Sequence, residues 1–192
     1  MTSETQLTLP IETERLLLRE FEPSDWEGLL TYNGDPEVQR FRGRELLDTA
    51  GAHALIATMR GRQAERPRTW YDLAIIRRLD GRQIGRCELQ RAHGSTGEIG
   101  YMLARDVWGQ GYATEAARAL LTAGFGALGL HRIYAECELE NTASWRVLER
   151  LGMRREGHFQ EALWRGGRWH DALTYALLRS EWAARVAPAV GR

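Results

Sequence analysis

The sequence predicts a single domain of mixed α/β (α+β) class, built on one central sheet. Strand-length runs and helical stretches alternate along the chain, and no linker, repeat or low-complexity segment separates them. The 192 residues, 43% of them hydrophobic, suit one domain with one core. We therefore place the domain at residues 13–183, between a flexible arm at residues 1–12 and a tail at residues 184–192.

The first half of the chain predicts a strand, two helices and an antiparallel meander. Residues 15–21 form an apolar run of strand length, and Pro23-Ser24-Asp25 starts the first helix. Apolar residues near helical spacing predict a second helix over residues 46–62. Three strands joined by hairpin connections then follow, at residues 70–77, 83–90 and 98–104.

The second half alternates helices and strands. An amphipathic stripe of apolar residues predicts a helix over residues 113–125, and residues 132–139 alternate as a strand. Residues 141–151 predict a helix that ends at Gly152. Runs at residues 161–164 and 169–178 flank a hairpin turn, so that the whole chain has about seven strands and about four helices.

Lysine is missing from the sequence, and all 26 basic residues are arginine. A Walker phosphate loop, a protein kinase and a pyridoxal enzyme each need a lysine, so none of these classes fits. The net charge is zero and no basic block is present, which gives no support for nucleic-acid binding.

The N-terminal residues lack the pattern of a signal peptide, and no apolar run has the length of a membrane span. We therefore expect a cytoplasmic protein without a membrane partner, in which Cys87 and Cys137 are reduced. The five histidines show no ligand spacing in the sequence, which predicts no metal site.

The stretch DVWGQGYATEA, residues 106–116, joins the predicted strand at residues 98–104 to the next helix. Its glycines permit close backbone approach, and a helix N-terminus offers unpaired amides to an anion. Alternatively, Gly109 and Gly111 only allow tight packing of the helix on the sheet. The dinucleotide fingerprint G-x-G-x-x-G is not met, because residue 114 is Thr.

This stretch resembles the acyl-CoA pyrophosphate loop of the GNAT N-acetyltransferase superfamily, in the form W-G-x-G-Y-A-T-E-A of the ribosomal-protein N-terminal acetyltransferase branch. The superfamily pattern has Gln or Arg where this chain has Trp108, and we expect the Trp108 ring to pack as a structural plug. The resemblance continues in three further segments, in order along the chain: TERLLLR at residues 13–19, NTAS with VLERLGM at residues 141–153, and GRWHD at residues 167–171.

The resemblance implies a GNAT-type sheet, splayed between strands 4 and 5, and transfer of acetyl from acetyl-CoA to an amine. Glu98 would be the general base and Ser144 the donor to the leaving thiolate, while Asn141 would bind the pantetheine arm. Each has a structural alternative: a solvent-facing strand residue for Glu98, a first-turn polar residue for Ser144 and a helix N-cap for Asn141. The acyl-CoA would also contact the following residues: Met102, Leu103, Gly109, Gln110, Gly111, Tyr112, Ala113 and Thr114.

The acceptor stays undecided at this point. A protein N-terminus is one candidate, and a small amine such as a polyamine, an antibiotic or an amino-acid derivative is the other. Arg40, Arg42 and Arg44, with the arginines of residues 60–68, either attract an acidic acceptor or form a solvated face. A non-catalytic acyl-CoA-binding module is the third alternative. Both a monomer and a homodimer fit the sequence.

Overall fold

The computed structural model describes residues 6–43 and 45–186. It contains eight strands: β1 (Ile11–Glu12), β2 (Leu16–Glu20), β3 (Trp70–Arg77), β4 (Gln83–Arg91), β5 (Thr96–Leu103), β6 (Arg132–Glu138), β7 (Arg154–Arg165) and β8 (Arg168–Leu178). The α-helices are α1 (Trp26–Asn33), α2 (Pro36–Gln39), α3 (Thr49–Gln63), α4 (Tyr112–Phe125), α5 (Thr142–Arg150) and α6 (Arg179–Val186). No helix within these residues is both long and apolar enough to cross a membrane.

All eight strands belong to one sheet with the order β1-β2-β3-β4-β5-β6-β8-β7. Neighbouring strands are antiparallel except β5 and β6, which are parallel. The parallel pairing spans only Thr96 to Glu98 on β5 and Arg132 to Tyr134 on β6. Beyond Glu98 the two strands separate, and this gap confirms the splay expected between the fourth and fifth strands of the predicted sheet.

The helices cover both sides of the sheet. We call the side that carries α1 and α3 the α1 face, and the side that carries α4 and α5 the α4 face. On the α4 face, the buried stripe of α4 includes Ala116, Leu120 and Phe125. A Cβ at Gly124 would lie 2.7 Å from Ile133 Cδ1 of β6, so that this glycine allows α4 to lie close to the sheet.

Helix starts agree with the sequence signals. The carboxylate of Asp48 accepts a hydrogen bond from Gly51 N and caps α3. At α5, Asn141 Oδ1 accepts from Ser144 N at 3.2 Å, so Asn141 is the N-cap that the structural alternative predicted. Gly152 follows α5 with a φ of +83°, as expected for a glycine just after a helix.

Regular structure extends beyond both predicted ends of the domain. Within residues 6–12, which we expected to belong to a flexible arm, Leu7 is 8% exposed in the core and Ile11–Glu12 pairs with β2, a strand beyond the seven expected. The predicted tail begins inside α6, which continues to Val186. The short α2 and the C-terminal α6 raise the number of α-helices from about four to six. Residues 1–5 of the arm and 187–192 of the tail lie outside the described residues.

Candidate active site

The glycine-rich connection between β5 and α4 is a turn that only glycines form without strain. Gly109 and Gly111 have φ of +75° and +84°, which lie in the left-handed region. Gly111 is also the N-cap of α4, and no described side chain caps this end. The first amides of α4 therefore lack a partner within the helix and carry the positive end of its dipole. This is the geometry of an anion site.

Arg15 places a guanidinium beside this helix end. Its NH1 group donates to the carbonyl oxygen of Gln110 at 3.0 Å, and its Nε donates to Glu115 at 2.7 Å. A Cβ at Gly111 would lie 3.4 Å from Arg15 NH2, and the guanidinium carbon lies 4.5 Å from the centre of the Tyr112 ring. An arginine that is paired with Glu115 therefore lies beside the first turn of α4.

Glu115 fixes Arg15 in this place. Its carboxylate accepts hydrogen bonds from Thr13 Oγ1 at 2.6 Å, Arg15 N at 2.9 Å and Arg15 Nε. Burial opposes ionisation, but the hydrogen bonds from Thr13 and Arg15 outweigh it and lower the pKa of Glu115. Glu115 therefore stays ionised and ties the segment before β2 to the first turn of α4.

A cavity of about 1150 Å³ extends from this turn along α4. Two further arginines, Arg118 and Arg150, line it together with Thr114 and Thr122. Neither Arg118 nor Arg150 forms an ion pair within the part of the chain that the structure describes. The cavity therefore extends from the start of α4 to these two arginines, and three glutamates, Glu12, Glu14 and Glu115, also line it.

The Trp108 ring, which we expected to pack as a structural plug, lies at the surface beside the end of β5. The side chain is 44% exposed, and its indole Nε1 donates to the carbonyl oxygen of Leu103 at 2.9 Å. The indole thus satisfies a carbonyl acceptor at the end of β5, because its N–H points back across the turn. Gln110 and Ala113 lie in the loop and the first turn of α4, as predicted, and Gln110 is exposed.

The gap between β5 and β6 exposes the backbone of β5. Ala104 N donates to Ile84 O of β4 at 2.9 Å. Because successive amides of a strand point to opposite edges, the amide of Leu103 is directed away from β4 and toward the gap. Met102 lies on the α1 face, where its sulfur accepts from Gln39 Nε2 at 3.3 Å. Leu103 thus directs a backbone N–H donor toward the gap, and the side chain of Met102 packs on the α1 face of β5.

Glu98 lies on the α1 face at the last pair between β5 and β6, where the gap begins. It is half-buried, and Tyr134 of β6 donates its hydroxyl to Glu98 Oε2 at 2.9 Å. Burial raises the pKa of Glu98, and nearby Glu136 and Glu88 raise it further, while the hydrogen bond from Tyr134 lowers it. A carboxylate with a raised pKa at this point is suited to accept a proton.

Ser144 lies across the gap on the α4 face, in the first turn of α5. The hydroxyl of Tyr101, on β5, donates to Ser144 O at 3.0 Å and lies 3.2 Å from Ser144 Oγ. Cys137 of β6 also interacts with the Ser144 side chain, and burial raises the pKa of this thiol to about 11. Glu98 and Ser144 thus lie on opposite faces of the sheet at the same gap.

The α1 face around the gap carries charges that the sequence did not reveal. Glu88 of β4 lies beside Gly100, where an added Cβ would be 2.6 Å from Glu88 Oε1. Arg42 lies 3.8 Å from Glu88, and Arg62 pairs with buried Asp72 at 3.0 Å. Arg42 and Arg62 therefore neutralise carboxylates of the protein, and whether the arginines of this region attract an acidic acceptor stays a prediction. Arg44 lies outside the described residues.

Sequence reasoning missed four residues at this site: Arg15, Glu88, Tyr101 and Tyr134. Arg15 and Tyr101 lie next to quoted motifs, in TERLLLR and directly after Gly100, so their position in the sequence was a signal. Glu88 and Tyr134 had no such signal in the sequence. Every second residue of a strand faces the same side of the sheet, so strand position alone does not mark a site residue.

The fold brings one histidine to two carboxylates that are distant in sequence. His170, Glu138 and Glu140 have ligand atoms within 4.8 Å of one another. However, Arg165 donates to Glu138 Oε1 at 2.8 Å and already supplies the positive charge beside this carboxylate. The expected absence of a metal site stays a prediction.

Comparison with known proteins gives consistent results. A family model described as an acetyltransferase (GNAT) domain matches residues 15–154. An uncharacterized N-acetyltransferase of Bacillus subtilis, YnaD, is 37% identical over 90% of this chain and 98% of its own. The crystal structure of a GNAT-family acetyltransferase from Bacillus anthracis superimposes with a TM-score of 0.81 at 33% identity, covering 90% of this chain and 100% of the other. The spermidine N(1)-acetyltransferase of Vibrio cholerae is 30% identical over 51% of this chain and 56% of its own.

Proposed function

The chain belongs to the acetyltransferase (GNAT) family and is an N-acetyltransferase, and we propose that it transfers acetyl from acetyl-CoA directly to a primary amine in a ternary complex. One observation carries this proposal. The uncapped, glycine-bounded N-terminus of α4 lies on one side of the gap between β5 and β6, and Glu98 lies on the other. A cosubstrate that enters from the α4 face would thus meet an acceptor on the α1 face.

The loop and the first turn of α4 would hold the cosubstrate. Backbone amides between Gly109 and Thr114 would bind the pyrophosphate, and Arg15 would add a positive charge beside it. Arg118 and Arg150 would contact the phosphate group of acetyl-CoA that lies outside its pyrophosphate, in the cavity along α4. Asn141 would bind the pantetheine arm in addition to capping α5.

The gap would hold the reacting thioester. The amide of Leu103 would donate to the carbonyl oxygen as negative charge develops there, which is the role of an oxyanion hole. Glu98 would take the proton of the acceptor nitrogen, directly or through an ordered water. Ser144 would donate a hydrogen bond to sulfur as the carbon–sulfur bond breaks. Leu103 and Glu98 come from β5, and Ser144 comes from α5. The oxyanion and the leaving sulfur would therefore be bound by different elements of the fold.

Two acceptor classes are compatible with the α1 face. A protein N-terminus titrates near ~7.7–8, against ~10.4 for a lysine side chain, and needs only a weak base. A small cationic amine is favoured by a second observation: Glu98 and Glu136 have no arginine partner among the described residues, in contrast to Glu88 and Asp72. The pair would therefore attract an ammonium group.

Release of free thiol from acetyl-CoA tests the proposal. We expect thiol release only when an amine is present, in a panel that contains peptides with free N-termini, the same peptides blocked by acetylation, and linear polyamines. Calorimetry with CoA alone measures binding separately. A protein that binds CoA but releases no thiol with any amine would contradict the catalytic proposal.

A further inference from the structure

Tyr101 connects the two sides of the gap on the α4 face. Its ring packs against the core, while its hydroxyl reaches α5 and contacts both the carbonyl oxygen and the Oγ of Ser144, at 3.0 and 3.2 Å. The contact spans 43 positions of the sequence. The phenol is therefore fixed at one end by apolar packing and at the other by Ser144.

A hydroxyl carries one proton, so these two contacts allow two arrangements. In the first, Tyr101 donates to the carbonyl oxygen and the proton of Ser144 points back to the phenol. In the second, the Tyr101 proton is shared between Ser144 O and Ser144 Oγ as a three-centre hydrogen bond, so the proton of Ser144 is free to point into the gap. Only the second arrangement offers a donor to a sulfur atom in the gap.

We propose that Tyr101 is a positioning residue. Its hydroxyl does not touch the substrate, but its hydrogen bond to Ser144 Oγ directs the Ser144 proton toward the leaving sulfur. The inference rests on the proposed function of Ser144. As the carbon–sulfur bond breaks, its electron pair moves to sulfur and is stabilised by the Ser144 hydrogen bond. The proton lost by the acceptor nitrogen balances the charge, so Tyr101 and Ser144 both keep their protons.

The surroundings of Tyr101 suit this role. Burial raises the pKa of the Tyr101 phenol, and Ser144 and Cys137 are the groups that face it. The thiol of Cys137, also with a raised pKa, approaches Ser144 from the facing strand. Both neighbours of Ser144 thus stay protonated at neutral pH, so each can donate a hydrogen bond to Ser144 Oγ and leave the proton of Ser144 free for the gap.

A double-mutant cycle separates this role from a purely structural one. Tyr101→Phe keeps the ring and removes the hydroxyl, and we expect kcat to fall about five- to tenfold with little change in the KM for acetyl-CoA. Ser144→Ala removes Oγ but keeps the carbonyl oxygen, so any structural bond from Tyr101 to that oxygen survives. In the Ser144→Ala background, Tyr101→Phe should therefore cost less than twofold.

Tyr71→Phe is the matched control, because the Tyr71 hydroxyl is buried without a hydrogen-bond partner among the described residues. Tyr71 lies on β3, two strands away from β5 and the gap. We expect it to leave kcat unchanged. Losses that multiply in the double variant, or a Tyr101→Phe enzyme with full kcat, would overturn the inference while the wild type still acetylates amines. A wild type that releases no thiol would instead overturn the proposed function. Thermal unfolding of each variant identifies a loss of activity that comes from a loss of fold.

Discussion

The two faces of the sheet around the gap are built in different ways. On the α4 face, the anion site comes from one continuous stretch, residues 106–116, together with Arg15. On the α1 face, the charged groups come from separate strands: Asp72 from β3, Glu88 from β4, Glu98 from β5 and Glu136 from β6. In the proposed function, a contiguous motif would thus bind the cosubstrate, and an assembled surface would bind the acceptor.

The two faces therefore constrain the sequence in different ways, one through backbone conformation and the other through side chains. A pyrophosphate is common to every acyl-CoA, and backbone amides bind it through geometry that glycine conformations impose locally. An acceptor is recognised by side chains, and these change strand by strand without altering the fold. Variants on the α4 face should therefore change the affinity for acetyl-CoA, and variants on the α1 face should change turnover and its pH dependence.

The largest effect is expected for Gly111→Val. A β-branched residue at a φ of +84° is strained, and relief of the strain would displace the amides of the first turn of α4. We expect the Kd for acetyl-CoA, measured by calorimetry, to rise about 100-fold or more, which corresponds to roughly 2.8 kcal/mol of binding free energy.

Gly94→Val is the control for this variant. Gly94 also has a positive φ, of +58°, with nothing within 4 Å of an added Cβ, but it lies in the β4–β5 hairpin. Both variants should lower Tm, and only Gly111→Val should weaken acetyl-CoA binding. Intact affinity in Gly111→Val would end the interpretation of this turn as an amide cradle.

Glu98→Gln should leave acetyl-CoA affinity unchanged and lower kcat/KM about 100-fold, which is the lower end of the usual contribution of a general base. Since the pKa of Glu98 is raised, the wild-type activity should fall with decreasing pH at values above the ordinary pKa of a glutamate. In Glu98→Gln this acidic limb should disappear, and only the titration of the acceptor amine should remain. A pH profile of the same shape in both proteins would remove Glu98 from the role of base.

Arg15→Ala tests whether the cation beside α4 contributes to binding. We expect the Kd for acetyl-CoA to rise about tenfold, because a charge-assisted contact of about 1.5–3 kcal/mol is lost at a partly exposed site. Arg78→Ala is the control, since Arg78 holds the same segment through the carbonyl oxygen of Thr13 without reaching the helix end. If both variants raise the Kd equally, Arg15 contributes only by holding the segment before β2 in place, and not by its charge.

Tyr134→Phe should have the smallest effect, a shift of the pH profile with about a threefold loss of activity near its acidic limb. The hydrogen bond from Tyr134 lowers the pKa of Glu98, so removal of the hydroxyl raises this pKa and moves the limb to higher pH. At high pH, where Glu98 is ionised in both proteins, the rates should agree. A limb displaced to lower pH would contradict this arrangement of charges.

The sequence predicted the loop well because its information is local. The glycines of the turn, the apolar stripe of α4 and the Asn141 cap each depend on residues within about one helical turn. The predicted boundaries were weakest at the chain ends. Ile11–Glu12 contains only two residues, and no periodicity marks a strand of that length. Its pairing with β2 depends on the tertiary contact, as does the position of Leu7 in the core.

By itself, the sequence determined the fold class, the family resemblance and the elements that surround the gap. Only the tertiary structure placed Tyr101 against Ser144, Tyr134 against Glu98 and Arg15 against Gln110. The reason is physical: strand periodicity states which face a side chain occupies, but the strand order and the splay decide which side chains meet there. The sequence therefore specified the glycine turn before α4, and the arrangement of strands decided which side chains meet at the gap.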